Sequence, residues 1–295
     1  MKKIKNLILI ISSIIVLFSL NSCEDAPPTD YVQNVYVEAY LYVGHSIEGI
    51  KVSYTQPVDK KYSEDIAMIK DASVKIIENN KTMDLIYKSN GKKGYYLPDT
   101  SFKVKPRTKY LLEIKLNNGK IITGETTTPS EIDWVIPPKK QFYYPKDTTK
   151  LESVDSLRIE WTAVKETPFF FVQTNCKDTL EYGKYLNPST AEKNRRSYNP
   201  FMEMWEEQKM YRNTSNWSFL ANTKTPTPWF AFKWYGLQEV RIYAPDYNML
   251  SWFMNLYFTG SSAADPNYNS VKGAYGVFAS ASFCSYEVFI FKNQP

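Results

Sequence analysis

Histidine is nearly missing: His45 is the only one in 295 residues. That excludes zinc sites built on several imidazoles. His45 itself lies in VGHSIEG, which reads as a solvated turn with no acid-base partner nearby. Cysteine is scarce at three residues and glycine at eleven. No glycine loop that could cradle phosphates occurs, nor a G-x-S-x-G or H-E-x-x-H motif. A pair of unmarked carboxylates could still make a glycosidase, a chemistry that needs no sequence motif. Strong charge of one sign is also missing. The formal charge is +5 and falls to +2 beyond residue 22, because Lys2, Lys3 and Lys5 leave and no acid does. Such a balance argues against nucleic acid as a partner. The chain therefore reads as a non-enzyme with no metal and no cofactor.

The one long apolar run, Leu7 to Leu20, is broken by Ser12, Ser13 and Ser19. At 14 residues it falls short of the roughly 20 that a spanning helix requires. Lysines ahead of it give residues 1–22 the layout of a signal peptide. Leu20-Asn21-Ser22-Cys23 resembles the bacterial lipobox, with an aliphatic residue at minus three, a small one at minus one, then the cysteine. In proteins of that kind the thiol receives diacylglycerol and the new amine is acylated. Several chains hold a membrane where one does not, at about 0.8 kcal/mol per buried methylene. Cys23 is thus the expected lipidation site, residues 23–30 a tether, and Glu24-Asp25 an export signal for the cell surface. An ordinary secretory signal is the alternative.

Aromatic residues are abundant, at 16% with 23 tyrosines, which favours strands. Residues 31–128 carry YVQNVYVEAYLY and then KVSYTQ, ASVKIIE, MDLIYK, GYYL, KYLLEIKL and KIITGETTT. Turn residues separate these runs: Asn79-Asn80, Ser89-Asn90-Gly91, Pro98-Asp99 and Asn117-Asn118-Gly119. The last predicts a hairpin, and seven or so short strands predict a β-sandwich. Residues 129–150 hold four prolines and read as a connection packed by Trp134, Phe142 and Tyr144. In residues 151–295, Leu157, Ile159 and Trp161 alternate before a second apolar strand, which resembles the start of a fibronectin type III domain. EVRIYAPDYNMLSWFMNLYF reads as a late strand running into a helical or irregular excursion, and GAYGVFASASFCSYEVFIF as the strand that closes the sheet. Residues 181–216 fit no strand pattern and read as an insertion with a short helix after Pro200.

The lipobox, the T-T-T-P turn, the W-T strand and the terminal GAYGVFASAS together resemble the bacterial lipoproteins of domain-of-unknown-function family 4249. The family's closing glycine pattern is G-G-x-G-x-F-G, and Ala274 and Ala279 stand at two of its glycines. The resemblance implies an outer-membrane lipoprotein of a Gram-negative bacterium, often encoded beside a TonB-dependent transporter. It supplies no catalytic residue. The expected fold is all-β, an immunoglobulin-like or transthyretin-like sandwich followed by a fibronectin type III-like sandwich carrying a partly helical insertion.

Cys176 and Cys284 could pair in an exported protein. On strands separated by a third, however, their Cα atoms would lie about 9 to 10 Å apart, so two buried thiols are expected. Asp265, Asn267 and Asn269 take the first, third and fifth positions of a calcium loop. Ser270 and Gly276 fall where glycine and glutamate are needed, so the segment reads as a surface turn. Five of seven tryptophans lie between residues 205 and 252. Trp234 and Trp252 suit the core. Trp205, Tyr211 and Trp217, with Arg195 and Arg196, are the candidate contact residues, because aromatic and arginine content marks protein contact faces. Two functions fit: an accessory of a TonB-dependent uptake system that captures a small-molecule or peptide ligand or docks on the transporter, and a structural or adhesive surface protein.

Overall fold

The computed structural model describes residues 31–143, 158–177, 182–185, 188–190, 215–227, 231–232, 234–256 and 268–291. Strand β1 (Val35–Tyr42) alternates strictly, with Val35, Val37, Ala39 and Leu41 buried and the residues between them half-buried. A two-residue period of that kind is what a strand with two unlike faces requires. After β2 (Lys51–Tyr54) and the single-turn helix α1 (Glu64–Ala67) come β3 (Ser73–Glu78), β4 (Lys81–Lys88) and β5 (Gly94–Tyr96). Asn79 and Asn80 join β3 to β4 with both φ angles positive, 46° and 67°, as a two-residue hairpin turn demands. Strands β6 (Lys109–Lys115) and β7 (Ile121–Thr127) form the expected hairpin around Gly119.

The later strands are β8 (Trp134–Ile136), β9 (Gln141–Tyr143), β10 (Ile159–Trp161), β11 (Phe170–Cys176), β12 (Ser215–Leu220) and β13 (Lys224–Thr225). Strand β14 (Gly236–Pro245) leads directly into helix α2 (Tyr247–Met254), followed by β15 (Val271–Lys272) and β16 (Tyr275–Phe291). Three sheets result. One has six strands in the order β15-β7-β6-β3-β4-β5, one has three in the order β13-β10-β8, and one runs β12-β11-β14-β16-β1-β2 with β9 beside β16.

The protein is an all-β sandwich with two cores on one side of the seven-stranded sheet. The six-stranded sheet covers β1, β2 and the start of β16, burying Leu41, Ile50, Ile76, Leu112 and Phe278. The three-stranded sheet covers β11, β14 and the end of β16, burying Trp161, Phe170, Val240, Ile242 and Ile290. At about 25 cal/mol per Å² of apolar area, side chains of this size are worth roughly 1.5 to 3 kcal/mol each on burial. A third cluster lies on the sheet's opposite face, where α2 sets Met249, Leu250 and Trp252 against Val277, Ala279 and Ala281.

Two expectations change. Strand β16 does not close a sheet: it lies at the centre, antiparallel to β14 and parallel to β1. The two sandwiches are therefore not separate along the chain, since β1 pairs with β16 over Tyr36–Tyr42 and β15 pairs with β7. The reason is length. A 17-residue strand spans both cores, so the first sandwich borrows its central strand from the end of the chain. The connection at 129–150 also contributes strands β8 and β9, with Trp134 packed against the second core. Tyr144 lies outside the described residues.

Cys176 and Cys284 form no disulfide and are both buried, with β14 between their strands. Burial pushes the Cys284 thiol up to about 12, with the charge of Asp133 adding to the rise. Trp252 is buried as expected, and Trp234 is half-buried with its Nε1 out of contact with water.

Candidate functional site

Strand alternation places alternate residues of β11, β14 and β16 on the helix-bearing face. In GLQEVRIYAP, Val240, Ile242 and Ala244 enter the second core, so Glu239, Arg241 and Tyr243 point the other way. Register then builds rows across four strands. Phe219, Phe171, Tyr243 and Phe283 form an aromatic row. Trp217, Gln173, Arg241 and Ser285 form the next, which is polar. Helix α2 covers the aromatic row, with Phe253 5.2 Å from Phe171 and 5.6 Å from Trp217 between ring centroids. The polar row runs along the helix margin.

Arg241 is the centre of that margin. Its Nη1 donates to the Tyr243 hydroxyl at 3.2 Å, and that hydroxyl donates to Gln173 Oε1 at 3.2 Å. Its Nη2 pairs with Glu239 Oε2 at 3.0 Å, and its Cζ sits 5.1 Å from the centre of the Phe283 ring. Such an arginine over an aromatic face adds about 0.5 to 2 kcal/mol, depending on desolvation. The Nε is buried and has no hydrogen-bond partner among the described residues. His45 stacks on Phe283 at 4.6 Å and 16°. Desolvation first, then Arg241 and Lys103, lower the imidazole below its ordinary value. The imidazole is exposed and stacked on a ring, with Arg241, Lys103 and Lys92 acting on it and the Glu48 carboxylate opposing them.

Phe283 also forms a wall of a crevice of about 560 Å³ where the two cores meet. Arg107, Ser130, Asp133, Thr162 and Lys165 line it. Arg107 Nε donates to Ser130 Oγ at 2.7 Å, and Ser130 Oγ lies 2.9 Å from Glu166 Oε2. The Glu166 carboxyl titrates below its ordinary value, held there chiefly by a hydrogen bond from its own backbone and further by Ser130 and Arg107 against the cost of burial. Polar groups that satisfy one another in this way suit contact more than proton transfer. Among the described residues no group of three or more His, Cys, Asp or Glu could hold a metal ion.

Of the five candidate contact residues, Arg195, Arg196, Trp205, Tyr211 and Trp217, only Trp217 is among the described residues. Its ring lies 5.3 Å from Tyr243 and 5.6 Å from Phe253, so it packs into the α2 cluster, and in register its neighbour is Gln173, with Arg241 one strand beyond. Cys23, Arg195, Arg196, Trp205 and Tyr211 lie outside the described residues, as do Asp265 and Asn267. The chain leaves β11 at Lys177 and returns at Ser215, and Asn175 pairs with Ser215, so the insertion departs beside this polar row. Sequence reading missed Arg241, Gln173 and Phe283. The available signal was a charged residue held in register between Val240 and Ile242.

A family described as a domain of unknown function, DUF4249, matches residues 24–282. No curated protein matches the chain.

Proposed function

This chain belongs to the DUF4249 family, and from that premise we propose that it is a non-enzymatic, lipid-anchored outer-membrane protein. It faces the cell surface and serves a TonB-dependent uptake system by capturing ligand or docking on the transporter. The observation that carries the reading is adjacency: the family match begins at Glu24, the residue after the lipobox cysteine. A mature lipoprotein has that arrangement, with the lipid on its first residue and the domain directly behind it. The contact face is the Arg241 margin together with the insertion that leaves beside it, carrying Arg195, Arg196, Trp205 and Tyr211. Arginine and aromatic side chains concentrate binding energy because they bury large area with few rotamers to fix. The adhesive alternative needs the same anchor and no transporter.

Two measurements test this. Cys23→Ala is expected to abolish incorporation of labelled fatty acid and to leave the precursor uncleaved or released from the membrane fraction. Unchanged membrane retention without lipid defeats the anchor. A mild-detergent pull-down is expected to recover an outer-membrane transporter, and to lose it with Trp205→Ala and Arg196→Ala in folded protein. Equal recovery by both variants, or no membrane partner at all, refutes docking.

A further inference from the structure

Four of the five described large apolar residues that are more than 60% exposed fall between residues 32 and 66, on or next to the loop that precedes α1 and the strand end beside it: Val32 at 70%, Val58 at 90%, Tyr62 at 63% and Ile66 at 80%. We propose that this patch is a membrane-contact surface, with the 57–62 loop and α1 seated in the headgroup layer of the bilayer that holds Cys23. The proposal deepens the lipid-anchor reading and rests on it.

The loop is built to display these side chains. Gln56 clasps both of its ends, its Nε2 donating to the Ser63 carbonyl at 2.8 Å and its Oε1 accepting from the Ser63 amide at 2.9 Å. A turn from Pro57 to Lys60 closes the tip, with the Lys60 amide 3.2 Å from the Pro57 carbonyl. Val58, Lys60, Lys61 and Tyr62 are thereby held out on a short, fixed projection. The acids beside it are neutralised: Glu64 pairs with Lys51 at 2.7 Å and Asp65 with Lys93 at 2.7 Å. What remains at the tip is Asp59 against two lysines. Aliphatic side chains, a tyrosine and flanking lysines are the set that partitions into a membrane interface, where a ring sits at headgroup depth and an ammonium stays in water.

The occupant follows from where the tether meets the fold. The Tyr31 hydroxyl lies 2.7 Å from Thr55 Oγ1, the Asn34 amide donates to the same oxygen at 3.0 Å, and the Thr55 amide donates to the Asn34 carbonyl at 2.8 Å. The chain therefore enters the domain one residue from the start of the clasped loop. From Cys23 to Tyr31 the chain spans at most about 28 Å even when fully extended. A lipid at Cys23 keeps Tyr31, at the base of the loop, within about that distance of the bilayer, which makes the loop's insertion an intramolecular event at high effective concentration. A patch too small to bind membranes alone is sufficient under that constraint.

Hydrogen exchange on the mature chain, residues 23–295, tests the proposal. Cys23 is coupled to maleimide-phosphatidylethanolamine in vesicles of phosphatidylethanolamine with a minority of phosphatidylglycerol. The other two thiols are buried and stay unmodified. Against protein whose Cys23 is capped by a soluble maleimide, the amides of residues 58–66 are expected to exchange about threefold or more slowly on vesicles. The hairpin tip at 117–120 is expected not to change. Val58→Ser, Tyr62→Ser and Ile66→Ser together remove only exposed side chains, so the variant folds, and it is expected to lose the protection. Equal exchange of the loop amides in the coupled and the capped protein overturns the proposal. So does protection that vanishes when the coupled protein is diluted on the vesicle, since that would mean a second copy covers the patch. Chemical coupling supplies the anchor whether or not cells lipidate Cys23, so this result and the Cys23→Ala fractionation fail independently.

Discussion

At Gly276 the backbone of β16 passes so close to β1 that a Cβ would lie 1.9 Å from the Val37 carbonyl oxygen, at a φ of +119°. Both the contact and the dihedral exclude a side chain, and the site is where the two ends of the chain meet in register. Gly276→Ala is therefore expected to cost about 3 kcal/mol or more, as overpacking and backbone strain combine. Urea unfolding should show a lower midpoint. Gly91, which has a positive φ but nothing within 4 Å of a Cβ, provides the comparison, and Ala there should cost only about 1 kcal/mol. Equal losses at the two positions would mean that the β1–β16 contact is not tight. Ala279, three residues on, is fully buried in the cluster under α2.

Helix α2 carries the third cluster, and Asp246 fastens its first turn. One carboxylate oxygen accepts from the Met249 amide at 2.8 Å, capping the helix. The other accepts from the Thr126 hydroxyl, which also lies 2.8 Å from Ser280 Oγ. The Asn248 amide adds bonds to the Glu125 and Phe278 carbonyls at 2.8 and 2.9 Å, so this one turn ties β7, β14 and β16 together. Burial raises the Asp246 carboxyl above 3.8, with hydrogen bonds from Thr126, Met249 and Ser280 opposing the rise. A folded value above the unfolded one means the folded state binds the proton more tightly. The associated stability is present below the unfolded value and is lost as pH rises through the raised folded value. Asp246→Asn keeps a capping oxygen and removes the titration. Wild-type stability relative to this variant is expected to fall with pH across that window and then level off. Parallel stability curves would show that Asp246 titrates alike in both states.

For the whole molecule, the interlocked sheets make a strong statement about cooperativity. The first core contains Val271 and Phe278 from the far end of the chain, and among the described strands β1 pairs with β2 and β16. A fragment of residues 31–128 would leave β1 with one neighbour and expose the face that β16 covers. Its amide spectrum is expected to show poor dispersion, and its urea unfolding no cooperative transition. A well-dispersed, cooperatively unfolding fragment would restore the first sandwich to independence.

Sequence by itself determined the strands and turns, because alternation and turn chemistry are local. Val35 to Leu41 alternates whatever its partner, and Asn79-Asn80 turns whatever follows. It likewise placed Trp161 and Trp252 in the interior and kept Cys176 and Cys284 apart. Only tertiary structure decided that β16 is central, that Val37 meets Gly276, and that Arg241, Gln173 and Trp217 share one row. Those facts depend on register between segments up to about 240 residues apart, and the cost of closing such loops grows only slowly with their length. Nothing in a local pattern records which distant strand will fill a gap. A 17-residue strand with small residues at its crossing point does so here because no shorter neighbour could cover both cores.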